Sequence, residues 1–117
     1  MPREDRNLLQ GTLDILILKT LSWGPMHGYG IASWIEQQTE EALRVEEGSL
    51  YPALHRMERK GWITSEWQLT ENKRRAKLYR LTRDGRRQLQ ADLSEWERFA
   101  GAVASVLNGT DAPAWAR

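Results

Sequence analysis

The sequence of 117 residues predicts an α+β fold that is mostly α. Apolar residues recur at three- and four-residue spacing in four separate stretches, the signature of amphipathic helices. One mid-chain segment, residues 62–81, switches to a period of two and reads as a pair of strands. There is no cysteine, so disulfide scaffolds, thiolate nucleophiles and Cys-based metal centres drop out. The length suits one domain, and 40% hydrophobic with 28% charged residues is a globular rather than a disordered composition.

The first helix is expected from Leu8 to Leu21, with Leu9, Leu13, Leu16, Ile17 and Leu21 on its stripe. Trp23-Gly24-Pro25 then stops it. A second follows Pro25-Met26-His27-Gly28 and runs to about Glu40, with Ile31, Trp34 and Ile35 inward and Glu36, Gln37 and Gln38 toward water. The third opens at Glu46-Glu47-Gly48-Ser49 and carries Leu50, Ala53, Leu54 and Met57 on one stripe. Ser49 is the expected N-cap, the two glutamates suit the positive end of the helix dipole, and Pro52 is assigned to the first turn. Gly61 can take the left-handed position that ends the helix.

The period-two segment has Ile63, Trp67 and Leu69 on one face of a strand, with Ala76 to Leu81 as its partner. Polar Thr70 to Arg75, including the turn former Asn72, joins them into a β-hairpin. Thr82 then caps a last helix from Arg83 to about Leu107, although Gly85 lowers its propensity. Its stripe is Leu89, Leu93, Trp96, Ala100, Val103 and Leu107, in alternating steps of four and three as in a heptad seam. A helix of about 24 residues extends about 36 Å, too far for a small three-helix body to cover. These six residues are therefore the expected contacts with a second copy of the chain.

Helix, helix, helix, hairpin, long helix is the order of a winged helix-turn-helix followed by a dimerisation helix. The division is 1–82 for the winged helix-turn-helix, 83–108 for the dimerisation helix and 109–117 for a flexible tail. Charge is divided in the same way. Residues 49–90 hold eleven Lys and Arg against four acidic residues, while the segments on either side are net acidic. Such asymmetry suits a polyanion, because each phosphate met by a cation releases condensed counterions. On the third helix, Ser49, Tyr51, Pro52, His55, Arg56 and Arg59 fall outside the core stripe and are candidates for the major groove of double-stranded DNA. In the wing, Lys73, Arg74, Arg75 and Lys77 are candidates for phosphate contacts. On this reading Arg56 discriminates between operators and Lys73 contributes affinity for every sequence.

Several motifs together resemble a known family. Leu13-Asp14-Ile15-Leu16-Ile17-Leu18, His27-Gly28-Tyr29-Gly30-Ile31 and Gly48-Ser49-Leu50-Tyr51-Pro52-Ala53-Leu54-His55-Arg56-Met57-Glu58 are three of them. Gly61-Trp62-Ile63 and Tyr79-Arg80-Leu81-Thr82-Arg83-Asp84-Gly85 complete the set. They are similar to the PadR family of bacterial transcriptional regulators, over about residues 8–107, and the single C-terminal helix looks like its smaller subgroup. The resemblance implies a homodimeric repressor on a palindromic operator; the residues themselves offer no catalytic group, metal site or cofactor site. The resemblance also implies Trp96 as a candidate contact for a small aromatic effector, beside the plainer reading of dimer packing.

Other features carry less. Trp34, Trp62 and Trp67 are expected to pack within the body, since large aromatics in small domains usually supply buried area. His27 and His55 are too sparsely accompanied to ligate a metal, and His27 is expected to cap or pack at a helix start. Gly28-Tyr29-Gly30 lacks the third glycine and the preceding strand of a dinucleotide loop. Neither a membrane span nor a signal peptide is expected, so a cytoplasmic location is, and Asn108-Gly109-Thr110 reads as a chance sequon. The alternative to a DNA-binding repressor is a winged-helix adapter that contacts proteins and lacks specific DNA binding. An enzyme would need a nucleophile and base that this sequence does not offer.

Overall fold

A computed structural model describes residues 3–116, with side chains from residue 11 onward. The place of Leu9 on the first stripe lies outside the described side chains. The chain forms α1 (Arg3–Leu21), β1 (Met26–His27), α2 (Gly28–Gln38), α3 (Glu47–Arg59), β2 (Ile63–Leu69), β3 (Arg75–Leu81) and α4 (Arg83–Leu107). It is a mostly helical α+β fold in which the strands make one antiparallel sheet of order β1-β3-β2. The sequence does not predict β1. Its two residues pair Met26 with Tyr79 and His27 with Leu78, and two residues are too few to show a period.

The core lies where α1, α2, α3 and the base of the sheet meet. Ile17, Leu18 and Leu21 of α1 pack with Ile31 and Ile35 of α2, the α3 stripe, and Ile63 and Tyr79 of the sheet. Each fully buried Ile or Leu contributes about 1.5–3 kcal/mol. This core fixes the direction in which α3 presents its outer face.

The third helix starts earlier than the sequence predicts. Glu46, in extended conformation, is the N-cap and makes no side-chain capping bond, so Ser49 stands inside the first turn rather than before it. Glu47 in that turn favours the positive end of the dipole. Pro52 consequently falls beyond the first turn, where its missing N–H leaves the Gly48 carbonyl without its helical donor. The C-terminus closes as expected. Gly61 has φ +79°, its amide donates to the Glu58 carbonyl, and the Trp62 amide donates to that of Met57, a Schellman pair.

One junction sets the course of α4. The Thr82 hydroxyl accepts from the Gly85 amide at 3.0 Å and lies 2.7 Å from the Gly61 carbonyl oxygen and 2.9 Å from that of Trp62. It thus ties the end of α3, the start of β2 and the start of α4 together. Gly85 is required here despite its propensity. A β-carbon would press into the Trp62 carbonyl and lie 2.6 Å from Leu81 Cδ1. From this junction α4 runs for 25 residues, about 37 Å. It gives the molecule extents of 68 × 28 × 26 Å and a radius of gyration of 17.7 Å, against about 13 Å for a compact chain of this length.

Candidate nucleic-acid interface

The outer face of α3 and one face of the hairpin converge. Direct cross-strand partners share a face of a sheet, so the register places Ile63 and Leu81, Ser65 and Tyr79, Trp67 and Lys77, and Leu69 and Arg75 on the same side. The first pairs belong to the core. The last two continue the same face past the end of the body, where it overhangs α3. Between α3, the start of α2 and this overhang lies a cleft of about 490 Å³, lined by His27, Tyr29, Tyr51, His55, Trp67, Arg75, Lys77 and Tyr79 among others.

The cleft walls are held in place by close contacts. Gly28 opens α2 directly beneath Tyr51, so closely that a β-carbon would fall 2.9 Å from the Tyr51 ring. His27 is the N-cap of α2 without a side-chain capping bond, and its ring stacks on Tyr29 with centroids 5.6 Å apart. Glu58 accepts a hydrogen bond of 2.7 Å from the Ser65 hydroxyl, joining α3 to β2. Burial, then the neighbouring Glu58 and Tyr51, push the Tyr79 phenol above its ordinary value.

The expected DNA-contacting residues divide into groups. Tyr51 and His55 are exposed on α3 and face the cleft, as do Arg75 and Lys77 on the wing. Arg59 is exposed in the last turn of α3. Lys73 and Arg74 are exposed on the hairpin tip, which is closed by bonds from the Thr70 amide to the Arg74 carbonyl and from the Lys73 amide to the Thr70 carbonyl. Lys73 has φ +59°. Among the described residues, no carboxylate pairs with any of the four wing cations. Ser49 and Pro52 instead open on a separate groove with Leu13, Leu16, Leu43 and Val45.

Arg56 is placed differently from its expected role. Its guanidinium donates to Asp14 Oδ1 of α1 at 2.7 Å, with side chains only 23% and 16% exposed. Burial raises the Asp14 carboxyl above its ordinary value of 3.8, and the Arg56 hydrogen bond and charge counter only part of that rise. The pair clamps α3 to α1. What the sequence offered as a base-reading arginine is turned inward by a carboxylate that its helical wheel could not place.

Trp67 corrects a second expectation. It is 57% exposed rather than packed in the body, and Arg75 and Lys77 lie 4.9 and 5.3 Å from its ring centroid. The period of two assigned its face rightly; that face simply outruns the core. Trp34 and Trp62, by contrast, are partly buried against the core cluster.

The seam on α4 is likewise divided. Leu89 is 6% exposed and belongs to the chain's own core, because the first turns of α4 still lie against α1. It is thus unavailable as a contact with a second copy. Leu93, Trp96, Val103 and Leu107 are exposed and Ala100 is half-buried. Phe99, which the heptad reading missed, is also exposed and stands 6.1 Å from Trp96 between ring centroids. The spacing 96, 99, 103, 106 carries it as a second stripe beside the first. Trp96 and Phe99 line a groove of about 530 Å³ between α1 and α4, with Gly11, Ile15 and Trp62. Among the described residues there is no cluster fit to hold a metal, and no helix is long and apolar enough to cross a membrane.

Comparison with known proteins agrees with this geometry. Residues 17–91 match the model of the transcriptional regulator PadR-like family. The transcriptional regulator Rv3488 of Mycobacterium tuberculosis is 31% identical over 99 residues, covering 84% of this chain and 88% of that protein. The structure of a transcriptional regulator from Clostridium thermocellum superposes with a TM-score of 0.74 at 31% identity, over 91% of this chain and 99% of the other. A PadR family transcription regulator from Clostridium difficile is 35% identical with a TM-score of 0.66, over 82% and 97% of the two chains.

Proposed function

This chain belongs to the PadR-like family of transcriptional regulators, DNA-binding proteins that are not enzymes, and from that premise we propose that it is a repressor acting as a homodimer on a palindromic operator. One observation carries the reading. Tyr51 and His55 on α3 and Arg75 and Lys77 on the wing face a single cleft, so that one element can enter a major groove while the other follows the adjacent phosphates. Tyr51, His55 and Arg59 supply the base-edge contacts, and Lys73, Arg74, Arg75 and Lys77 supply the phosphate contacts.

The second copy covers the exposed stripe of α4, with Leu93, Trp96, Ala100, Val103 and Leu107 as its contacts. Exposed apolar residues in such a row favour burial against another chain. A two-fold axis along that seam presents two copies of α3 to one face of the duplex, and the operator then repeats in inverted orientation. The groove between α1 and α4 that holds Trp96 and Phe99 is the place we assign to a small planar effector, because a flat apolar wall suits an aromatic ring.

Selection of bound duplexes from a random pool tests the reading. An inverted repeat with half-sites about one helical turn apart is expected. A pool that stays random after repeated selection would favour the adapter reading instead.

A further inference from the structure

We propose that Trp67 is a sequence-independent DNA contact, its indole packing on the sugar-phosphate backbone of the strand that Arg75 and Lys77 engage. The inference rests on the DNA-binding reading above and adds to it an apolar contact where only cations were expected. Three features of the wing support it. Trp67 stands 57% exposed on the face of the hairpin that continues the core face past the body. That face looks across the cleft toward Tyr51 and His55, so a strand lying along α3 passes directly over the indole. Arg75 and Lys77 both lie within 5.3 Å of the ring centroid.

The occupant follows from charge complementarity. Two cations held on one ring repel each other, and an anion beside them relieves the repulsion. A partner that satisfies this face must therefore be apolar where it meets the ring and anionic on either side. A DNA backbone meets both demands, with the hydrocarbon face of a deoxyribose between consecutive phosphates. The indole N–H adds a donor within reach of a phosphate oxygen. Since the contact reads no base edge, it adds affinity equally to every duplex.

The test uses the full chain, a mixed-sequence duplex of about 30 bp at low salt, and a duplex recovered by selection. Trp67→Ala is expected to weaken both about tenfold while leaving the salt dependence unchanged, because the indole carries no charge. Trp67→Phe is expected to restore most of that loss. Lys77→Ala, by contrast, lowers the salt slope by about one. A second readout does not depend on the alanine variant folding. The fluorescence difference between wild type and Trp67→Phe isolates Trp67, and it is expected to change on adding either duplex. Wild-type affinity in Trp67→Ala for both duplexes, or a difference signal indifferent to DNA, would overturn the contact while leaving DNA binding by the chain intact. If wild type itself bound neither duplex, the broader reading would fall, and the contact with it.

Discussion

Replacing Arg56 by alanine removes the guanidinium that holds Asp14 Oδ1 at 2.7 Å across the junction of α1 and α3. Both side chains are less than one quarter exposed, so the carboxylate left behind stays poorly hydrated. A hydrogen bond to a charged group contributes about 1.5–3 kcal/mol, and removing one partner of a largely buried pair falls in the upper part of that range. We expect a loss of about 2.5 kcal/mol, which for a domain of this size lowers the melting temperature by about 10 °C. The loss should depend on pH. The Asp14 carboxyl already titrates above its ordinary 3.8 because burial outweighs the arginine. A raised carboxyl value means that its contribution to stability is fully present below 3.8 and declines as pH rises through the folded value. Without Arg56 the folded value rises further and the decline is larger. Wild type and Arg56→Ala should therefore lie closest near pH 3 and diverge toward pH 7. Thermal unfolding followed by circular dichroism, at equal protein concentration and across that pH range, measures both effects. A variant that melts within about 1 °C of wild type at pH 7, or a gap that narrows with rising pH, would refute the clamp.

Other perturbations follow from the same geometry. Gly85→Ala should destabilise by at least about 2 kcal/mol despite gaining about 1 kcal/mol of helix propensity, since the added carbon meets the Trp62 carbonyl; urea unfolding reads the net sign. Thr82→Ala removes the cap on the Gly85 amide and should cost about 1 kcal/mol in the same assay. Lys73→Gly removes a cation from a left-handed position. It should reduce the salt slope of DNA binding by about one while leaving the melting temperature equal or higher. Val103→Asp places a charge in the exposed stripe of α4 and should shift the sedimentation profile toward single chains with the helix content unchanged.

The fold was largely legible because its signals are local. Thr82, Gly61 and the alternating steps along α4 each mark an element by chemistry within a few residues. β1 was not legible, since Met26 and His27 become a strand only through Tyr79 and Leu78, more than fifty residues later. The site was half legible for the same reason. A helical wheel shows that Arg56 is off the α3 stripe, but only the packing of α1 shows that Asp14 waits there. The hairpin period puts Trp67 on the inward face, yet where the core ends along that face is a tertiary fact. Leu89 has the spacing of a seam residue and is claimed by its own core because α4 begins against α1. Charge, summed over segments, marked the basic stretch from α3 to the start of α4 without any of these details.

The most direct measurement is the affinity of a selected duplex and its scrambled counterpart across a series of salt concentrations. Four wing cations and the outer face of α3 acting together predict tighter binding to the selected duplex and a steep linear fall of log affinity with log salt, about −0.9 for each phosphate engaged. Equal, weak and salt-independent binding of the two duplexes would contradict it.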